Sequence, residues 1–495
     1  MSGWIALSPL LMVGLGALVL MVVDAFTREK AELATLASVV LIGAGVLSIG
    51  LVVSGRPLVA SAPIAPFLVV DAMAQLFNAT ICFGGAFSAL LAGGYLREHR
   101  IERGEFYAIL LLSSFGAMVL ASSADLLSLF IGLETMSLGV YCLVAFRRGS
   151  PRALEGGLKY FLLGSFAAAI LLFGAALLYG ATGHTDLAGI GQGVTTATPE
   201  QLPLVILGLL MVVVGLLFKV SAVPFHMWTP DAYEGAVTPA TTFMSVVVKS
   251  AAFAVLIRLL LVSFSDPQSA NLHTGWPAVL AGLSVLTMVY GNLAAARQSS
   301  VKRMLAYSSI AHAGYVLIGV TALFAPAARS EAVSGVLFYL AAYTVSNVLA
   351  FGSLIAAGSV GKEAVSYEDL AGLGRRHPLL ALPFVIGVLS LMGFPPTAGF
   401  FGKWYVFSAA LGTGGSLVWL VVIGVLSSVI GAYYYLRVIV YLFMKAPEPG
   451  AAIAVPMRSG YVAAALVVSG FLVVQMGVAP GRYIELVLQA AKAIG

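Results

Sequence analysis

Charge is scarce in this chain. Of its 495 residues, 9% are Asp, Glu, Lys or Arg, where a soluble globular chain carries about 25%. Apolar residues make up 60%, and the mean hydropathy is +1.01. So few charges cannot coat a water-exposed surface of this size. Soluble enzymes, nucleic-acid-binding modules and disordered scaffolds are excluded. Cysteine is almost missing: Cys82 and Cys142 stand in separate apolar runs, with no CxxC pair. Structural zinc, iron–sulfur ligation and a disulfide framework therefore have no support, and both thiols are expected to pack in the core. No GxGxxG opens a helix after a strand. The 54 glycines are read as close helix packing in a membrane. The first apolar run, about Trp4 to Phe26, is too long for a signal-peptide core and no A-x-A site follows, so it is expected to stay as a helix.

What the sequence has in abundance is long apolar runs. A helix needs about 20 such residues to cross a bilayer. Runs of that kind start near Trp4, Leu33, Met73, Phe106, Leu126, Ala153, Leu202, Pro239, Pro277, Val301, Glu331, Leu379, Ser416 and Gly460. The expected fold is an all-α polytopic membrane protein with about fourteen transmembrane helices. The runs are too long, and lack the dyad alternation, for a β-barrel. With the N-terminus outside, sixteen Lys and Arg fall in inner connections and four (Arg56, Arg329, Arg482 and Lys492) in outer ones. That bias is the positive-inside pattern, and an even span count returns the C-terminus to the outside. The longest outer connection, about Ala181 to Gln201, is expected as a Gly/Thr-rich loop. The longest inner one, Gly358 to Pro378, carries Glu363, Glu368 and Asp369.

Six basic residues fall inside the runs: Lys159, Lys219, Lys249, Arg258, Lys403 and Arg437. A lysine at mid-bilayer costs roughly 2.5–3.5 kcal/mol on insertion scales and usually marks an ion or proton path. Lys159 lies near a helix end, within reach of the headgroups; Arg258, near the outer end of its helix, either does the same or pairs structurally. Arg437 follows three tyrosines and reads as structural. Lys219, Lys249 and Lys403 are too deep to reach water. Glu134 sits about two and a half turns from either end of its helix and is expected to pair with a lysine of another helix. Asp24, Asp71 and Asp125 read as caps or interfacial groups.

Proline marks where these helices must break. Pro224 follows Lys219 in FKVSAVPFHMWTPDAYEG, and Pro395-Pro396 precedes Lys403 in FPPTAGFFGKWYVF. A proline removes a backbone donor and clashes with the preceding turn, and freed carbonyls are tolerated at depth only against protein or a wet cavity. Two such breaks in two halves, about 106–265 and 277–446, point to inverted repeats of five helices each. Residues 1–105 would form three preceding helices and 447–495 a last helix and tail. His312 lies three turns into its helix and is a relay candidate, or a hydrogen-bonded packing residue. His226, after the first break, is a candidate for governing proton access. Thr229 with Pro230 reads as a helix N-cap and first position, and Thr238-Pro239 as a repeat of the device. Lysine has an ordinary pKa of about 10.4, so it relays protons only where burial weakens its hold and a carboxylate tunes it. The energy to drive such a path has no source in this chain. It is either an ion exchanger or a pump module driven by partners.

The stretch FKVSAVPFHMWTPDAYEGAVTPATTFMSVVVKSAAFAVLIRLL (218–260) resembles the subunit N family of the bacterial proton-pumping NADH–quinone oxidoreductase, respiratory complex I. GLETMSL around Glu134, RQSSVKRMLAYSSIAHAGY at 297–315 and GFPPTAGFFGKWYVF at 393–407 agree. The resemblance covers nearly the whole chain. It implies an antiporter-like subunit with Glu134 and Lys219 as the paired acid and lysine, Lys249 as relay and Lys403 as terminal lysine of the second half. It places His312 near a central hydrated axis. A lysine at 403 is unlike the related subunit M, and the short C-terminus is unlike subunit L. The D subunit of multisubunit cation/proton antiporters is a relative, which keeps a cation/proton antiporter as the alternative function. The resemblance further implies a translocase with no redox centre in this chain. NADH, FMN, iron–sulfur clusters and quinone would be used through other subunits. The partners would be a second antiporter-like subunit, small membrane subunits and the lipid bilayer, with no nucleic acid. The site would be the bacterial inner membrane, with both termini on the outer side.

Overall fold

The computed structural model describes residues 3–27, 30–55, 58, 64–358, 363–447 and 456–491. Arg28, Arg56, Lys362 and Lys492, which entered the charge tally, lie outside them. Among the described residues all the regular elements are helices, joined by turns and loops with isolated β-bridges. In hydrocarbon each backbone polar group must be satisfied within its own segment, and a helix does this. The helices of eight or more residues are α1 (Ser8–Phe26), α2 (Ala31–Val53), α3 (Ala72–Glu98), α4 (Glu105–Ala121), α5 (Leu126–Val144), α6 (Pro151–Thr182), α7 (Leu187–Thr195), α8 (Leu202–Val220) and α9 (Trp228–Gly235). They continue as α10 (Thr238–Ser263), α11 (Trp276–Ala296), α12 (Val301–Ala322), α13 (Arg329–Ala357), α14 (Pro378–Met392), α15 (Ala398–Leu411), α16 (Val418–Phe443), α17 (Gly460–Val478) and α18 (Pro480–Ala491).

Twelve helices among the described residues are long and apolar enough to cross a bilayer on their own. This is a multi-pass membrane protein. Two of the expected runs take other forms. α4 has 17 residues, and the run from Leu379 is divided into α14 and α15. Asp71 and Asp125 cap α3 and α5, as their position before apolar runs implied, accepting from the backbone N–H of Ala74 and Leu127 at 2.8 and 2.6 Å. Close packing falls on glycines. A Cβ on Gly116 of α4 would meet the Met136 backbone of α5 at 2.4 Å, and one on Gly132 of α5 would meet the Leu120 backbone at 2.6 Å. Small residues of this kind let membrane helices approach.

α10, α12 and α13 are buried almost throughout, whereas α1, α6 and α16 turn apolar faces outward. The centre of the bundle is therefore built from the helices that carry Lys249, His312 and a run of tyrosines.

Four local expectations are corrected. The connection at 181–201 holds α7, whose first turn is capped by Asp186 through the Gly189 N–H at 2.6 Å. Asp186 is a helix-start signal inside a Gly-rich stretch. Thr229 is not an N-cap: α9 begins at Trp228, and the Thr229 hydroxyl instead donates to Ser221 Oγ at 2.7 Å. Thr238 likewise caps nothing with its side chain, although Pro239 occupies the first turn of α10. Cys82 is buried, but Cys142 faces outward from α5. In a membrane helix an apolar neighbourhood in sequence does not separate core from lipid.

Candidate functional site

The three deep lysines sit where helices depart from regular α geometry. α8 ends at Val220, and Ser221 takes a left-handed conformation with φ +65°. At this break the Phe218 carbonyl accepts from the Ser221 N–H at 3.1 Å and from Trp228 Nε1 at 3.0 Å, and the Val223 N–H donates to Thr287 Oγ1 at 3.0 Å. The break is thus sealed by α9 and α11. Lys219, in the last turn of α8, is 1% exposed. Its ammonium donates to the Tyr141 hydroxyl of α5 at 3.1 Å and lies 5.1, 5.4 and 5.6 Å from the ring centres of Tyr141, Tyr160 and Phe218. Position at a helix C-terminus and aromatic faces both favour the cation.

Glu134 lies on α5, two turns before Tyr141. Its carboxylate and the Lys219 ammonium act on each other through space. The ammonium bonds Tyr141, however, and Glu134 Oε1 is buried with no hydrogen-bond partner. The acid and the base expected as a pair are brought together electrostatically, with a tyrosine bound in the acid's place.

The second break has the same parts. α14 ends at Met392, followed by Gly393 at φ +88° and the cis Pro395–Pro396 peptide; the cis Val223–Pro224 peptide stands in the first break. Glycine is needed at 393, both for its positive φ and because a Cβ there would lie 3.1 Å from Lys403 Cδ. Lys403 Nζ donates to the freed Met392 carbonyl at 2.9 Å and to Ser428 Oγ at 3.3 Å, and sits 4.8 Å from the Tyr315 ring centre.

Lys249 has no proline near it, yet it follows a π-turn at Met244–Val248 within α10. Such bulges cluster at functional sites, and nothing in the residue pattern marks this one. Lys249 is 2% exposed, and its ammonium donates to the Ser309 carbonyl of α12.

His312 stands one turn further along α12, and the charges of both Lys249 and Lys403 bear on it. Its Nδ1 is 2.6 Å from the Tyr339 hydroxyl and its Nε2 is 3.0 Å from the Tyr435 hydroxyl. Tyr435 also bonds Ser308. Beside it, Tyr434 donates to Asn292 Oδ1 at 2.9 Å, and Asn292 Nδ2 donates to the Tyr315 hydroxyl at 2.8 Å. The tyrosines of α13 and α16 were not singled out from the sequence as partners. The signal was present: hydroxyl-bearing rings recur along helices that are otherwise apolar.

The remaining candidates have other partners. His226 lies in the first break with its ring centre 4.6 Å from that of Tyr290 and Nδ1 unpartnered. Lys159 is half exposed and bonds Glu155 and Asp231 at 2.6 and 2.8 Å. Arg258 forms a bidentate pair with Asp71 at 2.7 and 2.9 Å. Arg437 stacks 4.2 Å from the Tyr367 ring centre. Among the described residues no group of His, Cys, Asp and Glu is arranged to hold a metal ion.

The family profile described as "NADH:quinone oxidoreductase/Mrp antiporter, TM" matches residues 123–431, more than half of the chain. NADH-quinone oxidoreductase subunit N 1 of Sorangium cellulosum is 54% identical, over 99% of both chains. A chain of respiratory complex I from Thermus thermophilus is 34% identical with a TM-score of 0.78, covering 96% of this chain and 98% of its own. A chain of the Mrp complex from Dietzia sp. has a TM-score of 0.82 at 22% identity, covering 99% and 97%, which shows a shared fold.

Proposed function

The chain belongs to the NADH:quinone oxidoreductase/Mrp antiporter membrane family, and from that premise we propose that it is the N-type proton-translocating subunit of an NADH–quinone oxidoreductase. The observation that carries this reading is the enclosed row of Lys219, Lys249 and Lys403, each at a helix irregularity, with His312 between the last two. Buried lysines without contact carboxylates are costly to keep. A proton relay uses that cost, because a small change in a neighbour's charge then moves a proton.

In this reading Glu134 supplies the adjustable field on Lys219. Motion of the carboxylate toward the ammonium holds the proton; motion away releases it toward Lys249. His312, with Tyr339 and Tyr435, hands charge across the middle, and Lys403 receives it beside the second break. Residues 106–265 and 277–446 act as two inverted halves. His226 lies where protons approach Lys219. Moving one charge against the membrane field costs about 2.3 kcal/mol per 100 mV. Partner subunits supply it through NADH oxidation and quinone reduction, using FMN and iron–sulfur clusters held there. The chain would lie in the bacterial inner membrane beside a second antiporter-like subunit and small membrane subunits, both termini outside.

The test is Lys219→Ala in inverted membrane vesicles, with assembly checked by native gel. NADH-driven quinone reduction and proton uptake should fall together by about tenfold or more, the scale of losing a positioned acid–base group. Normal rates of both, with loss of sodium- or potassium-driven proton exchange, would instead assign the chain to a cation/proton antiporter.

A further inference from the structure

A second buried lysine–carboxylate pair lies away from the lysine axis. Lys302, in the first turn of α12, is fully enclosed. Its ammonium donates to the Ala236 carbonyl at 2.7 Å and to Glu363 Oε2 at 3.1 Å. The Tyr95 hydroxyl at the end of α3 donates to the other Glu363 oxygen. His99 packs on Tyr95 with ring centres 4.3 Å apart and keeps Nδ1 buried and unpartnered. On its other side Glu363 lines a cleft of about 320 Å³ together with Arg147, Ser150, Arg152 and Glu234. The carboxylate thus forms the floor of a polar cleft, and the lysine stands behind it.

Lys302 also shares α12 with a contact of Lys249. Two turns along α12 from Lys302 is Ser309, whose carbonyl holds Lys249. The Ser309 hydroxyl lies beside the hydroxyls of Tyr233 and Tyr343. All three are buried with hydrogen-bonding capacity unused, and buried polar groups of this kind take water.

We propose that this cleft is a proton-uptake port that feeds the relay at Lys249, in addition to the approach beside His226, with Glu363 accepting protons from the inner aqueous side and Lys302 passing them toward Lys249; the inference rests on the proton-translocating reading above. The step balances. A proton from the cleft neutralises the Glu363 carboxylate and removes the counter-charge of Lys302. The ammonium releases its own proton through the Ser309–Tyr233–Tyr343 hydroxyls to Lys249 in its neutral form. The Glu363 proton then moves to the neutral lysine, restoring the starting pair with one proton moved inward.

The charges around Glu363 suit this role. Burial pushes its carboxyl up to about 8, with the Thr238 backbone N–H opposing, so it exchanges protons near neutral pH. Lys302, Arg147 and Arg152 face it with positive charge and Glu234 with negative charge. His99 adds none, because burial and the nearby Arg147 and Lys302 hold it down to about 4.

The experiment measures NADH-driven proton uptake by inverted vesicles between about pH 6 and 9, where the carboxyl titrates. Wild type, Glu363→Gln, Glu363→Asp and Lys219→Ala are compared at equal assembly. Glu363→Gln should lose about tenfold at the alkaline end, the scale of removing a proton acceptor, with the deficit narrowing toward the acid end, and Glu363→Asp should recover most of it. Full uptake in Glu363→Gln, or a loss equal at all pH, overturns the port if Lys219→Ala is inactive. Full uptake in Lys219→Ala overturns the underlying reading instead. Should Glu363→Gln fail to assemble, Arg152→Cys on the cleft rim is labelled with a bulky membrane-impermeant thiol reagent. Lower uptake than in equally treated wild type supports the port, and unchanged uptake overturns it.

Discussion

The Lys219 ammonium is bound by the Tyr141 hydroxyl at 3.1 Å, and the tyrosine ring also offers its face, with a centroid distance of 5.1 Å. Tyr141 can take this position because the residue opposite it on α6 is Gly164, where a Cβ would lie 2.1 Å from the hydroxyl. Tyr141→Phe keeps the ring and removes a bond to a charged group, an interaction of about 1.5–3 kcal/mol. The proton-uptake rate should fall by about tenfold, since about 1.4 kcal/mol is a factor of ten. Gly164→Ala should give the same defect with the tyrosine intact, by displacing it. Proton uptake in inverted vesicles at equal assembly checks both, and normal uptake in either removes the tyrosine from the relay.

His312 is held at both ring nitrogens, by Tyr339 at 2.6 Å and Tyr435 at 3.0 Å. A relay through the imidazole needs both sides, because a proton must arrive at one nitrogen as another leaves the second. Tyr339→Phe and Tyr435→Phe should each slow uptake by several-fold. The double variant should be no worse than His312→Ala, since residues acting as one unit are not additive. Independent, multiplying effects that exceed the His312→Ala loss would mean that the tyrosines act on separate steps.

Much of this arrangement is legible in the residues. The helices follow from apolar runs of bilayer length, and the two breaks from Pro224 and Pro395-Pro396. Lys219 and Lys403 stand out because the cost of burial singles them out. What the sequence withholds is the choice of partner. Nothing in the pattern says that Lys219 binds Tyr141 while Glu134 stays at a distance, because that depends on how α5, α6 and α8 cross. The π-turn before Lys249 has no proline or glycine to announce it. Cys142 shows the same limit: among lipid-facing and core-facing positions alike the preferred residues are apolar. Lys302 and Glu363 were counted as loop charges because they fall near the ends of runs, and only the packing of α3, α10 and α12 encloses them.

Arg258 and Asp71 have a structural role. The guanidinium of α10 grips the carboxylate that also caps α3, with distances of 2.7 and 2.9 Å. Arg258→Met leaves a carboxylate facing apolar surroundings, and breaking a buried pair in this way costs about 3–5 kcal/mol. Assembly on native gels and thermal stability in detergent should both fall. Adding Asp71→Asn should restore much of the loss, because the amide can still cap through its oxygen and carries no charge. Proton uptake per assembled complex should stay near wild type in the double variant. A specific loss of uptake there would place the pair on the proton path.

The pH dependence of stability gives a separate measure of Glu363. Its carboxyl is raised from an ordinary 4.5 to about 8 by burial, against the smaller opposing effect of the Thr238 N–H. A carboxyl raised on folding stays protonated where the unfolded chain would ionise, so the folded state binds more protons than the unfolded one over that interval. Stability from this group is therefore fully present below about 4.5 and is lost progressively as pH rises through about 8. Glutamine reproduces the neutral form and does not titrate. The Tm difference between the purified wild-type complex and Glu363→Gln should thus be smallest below about pH 4.5 and already be opening against the wild type at pH 6. Between about pH 6 and 9 the wild type should lose more than the variant, and the difference between the two curves isolates this carboxyl from all the other groups that titrate there. A variant that parallels the wild type across the range would mean that Glu363 is already ionised at pH 6, paired with Lys302 as a fixed charge and closed to protons from the cleft.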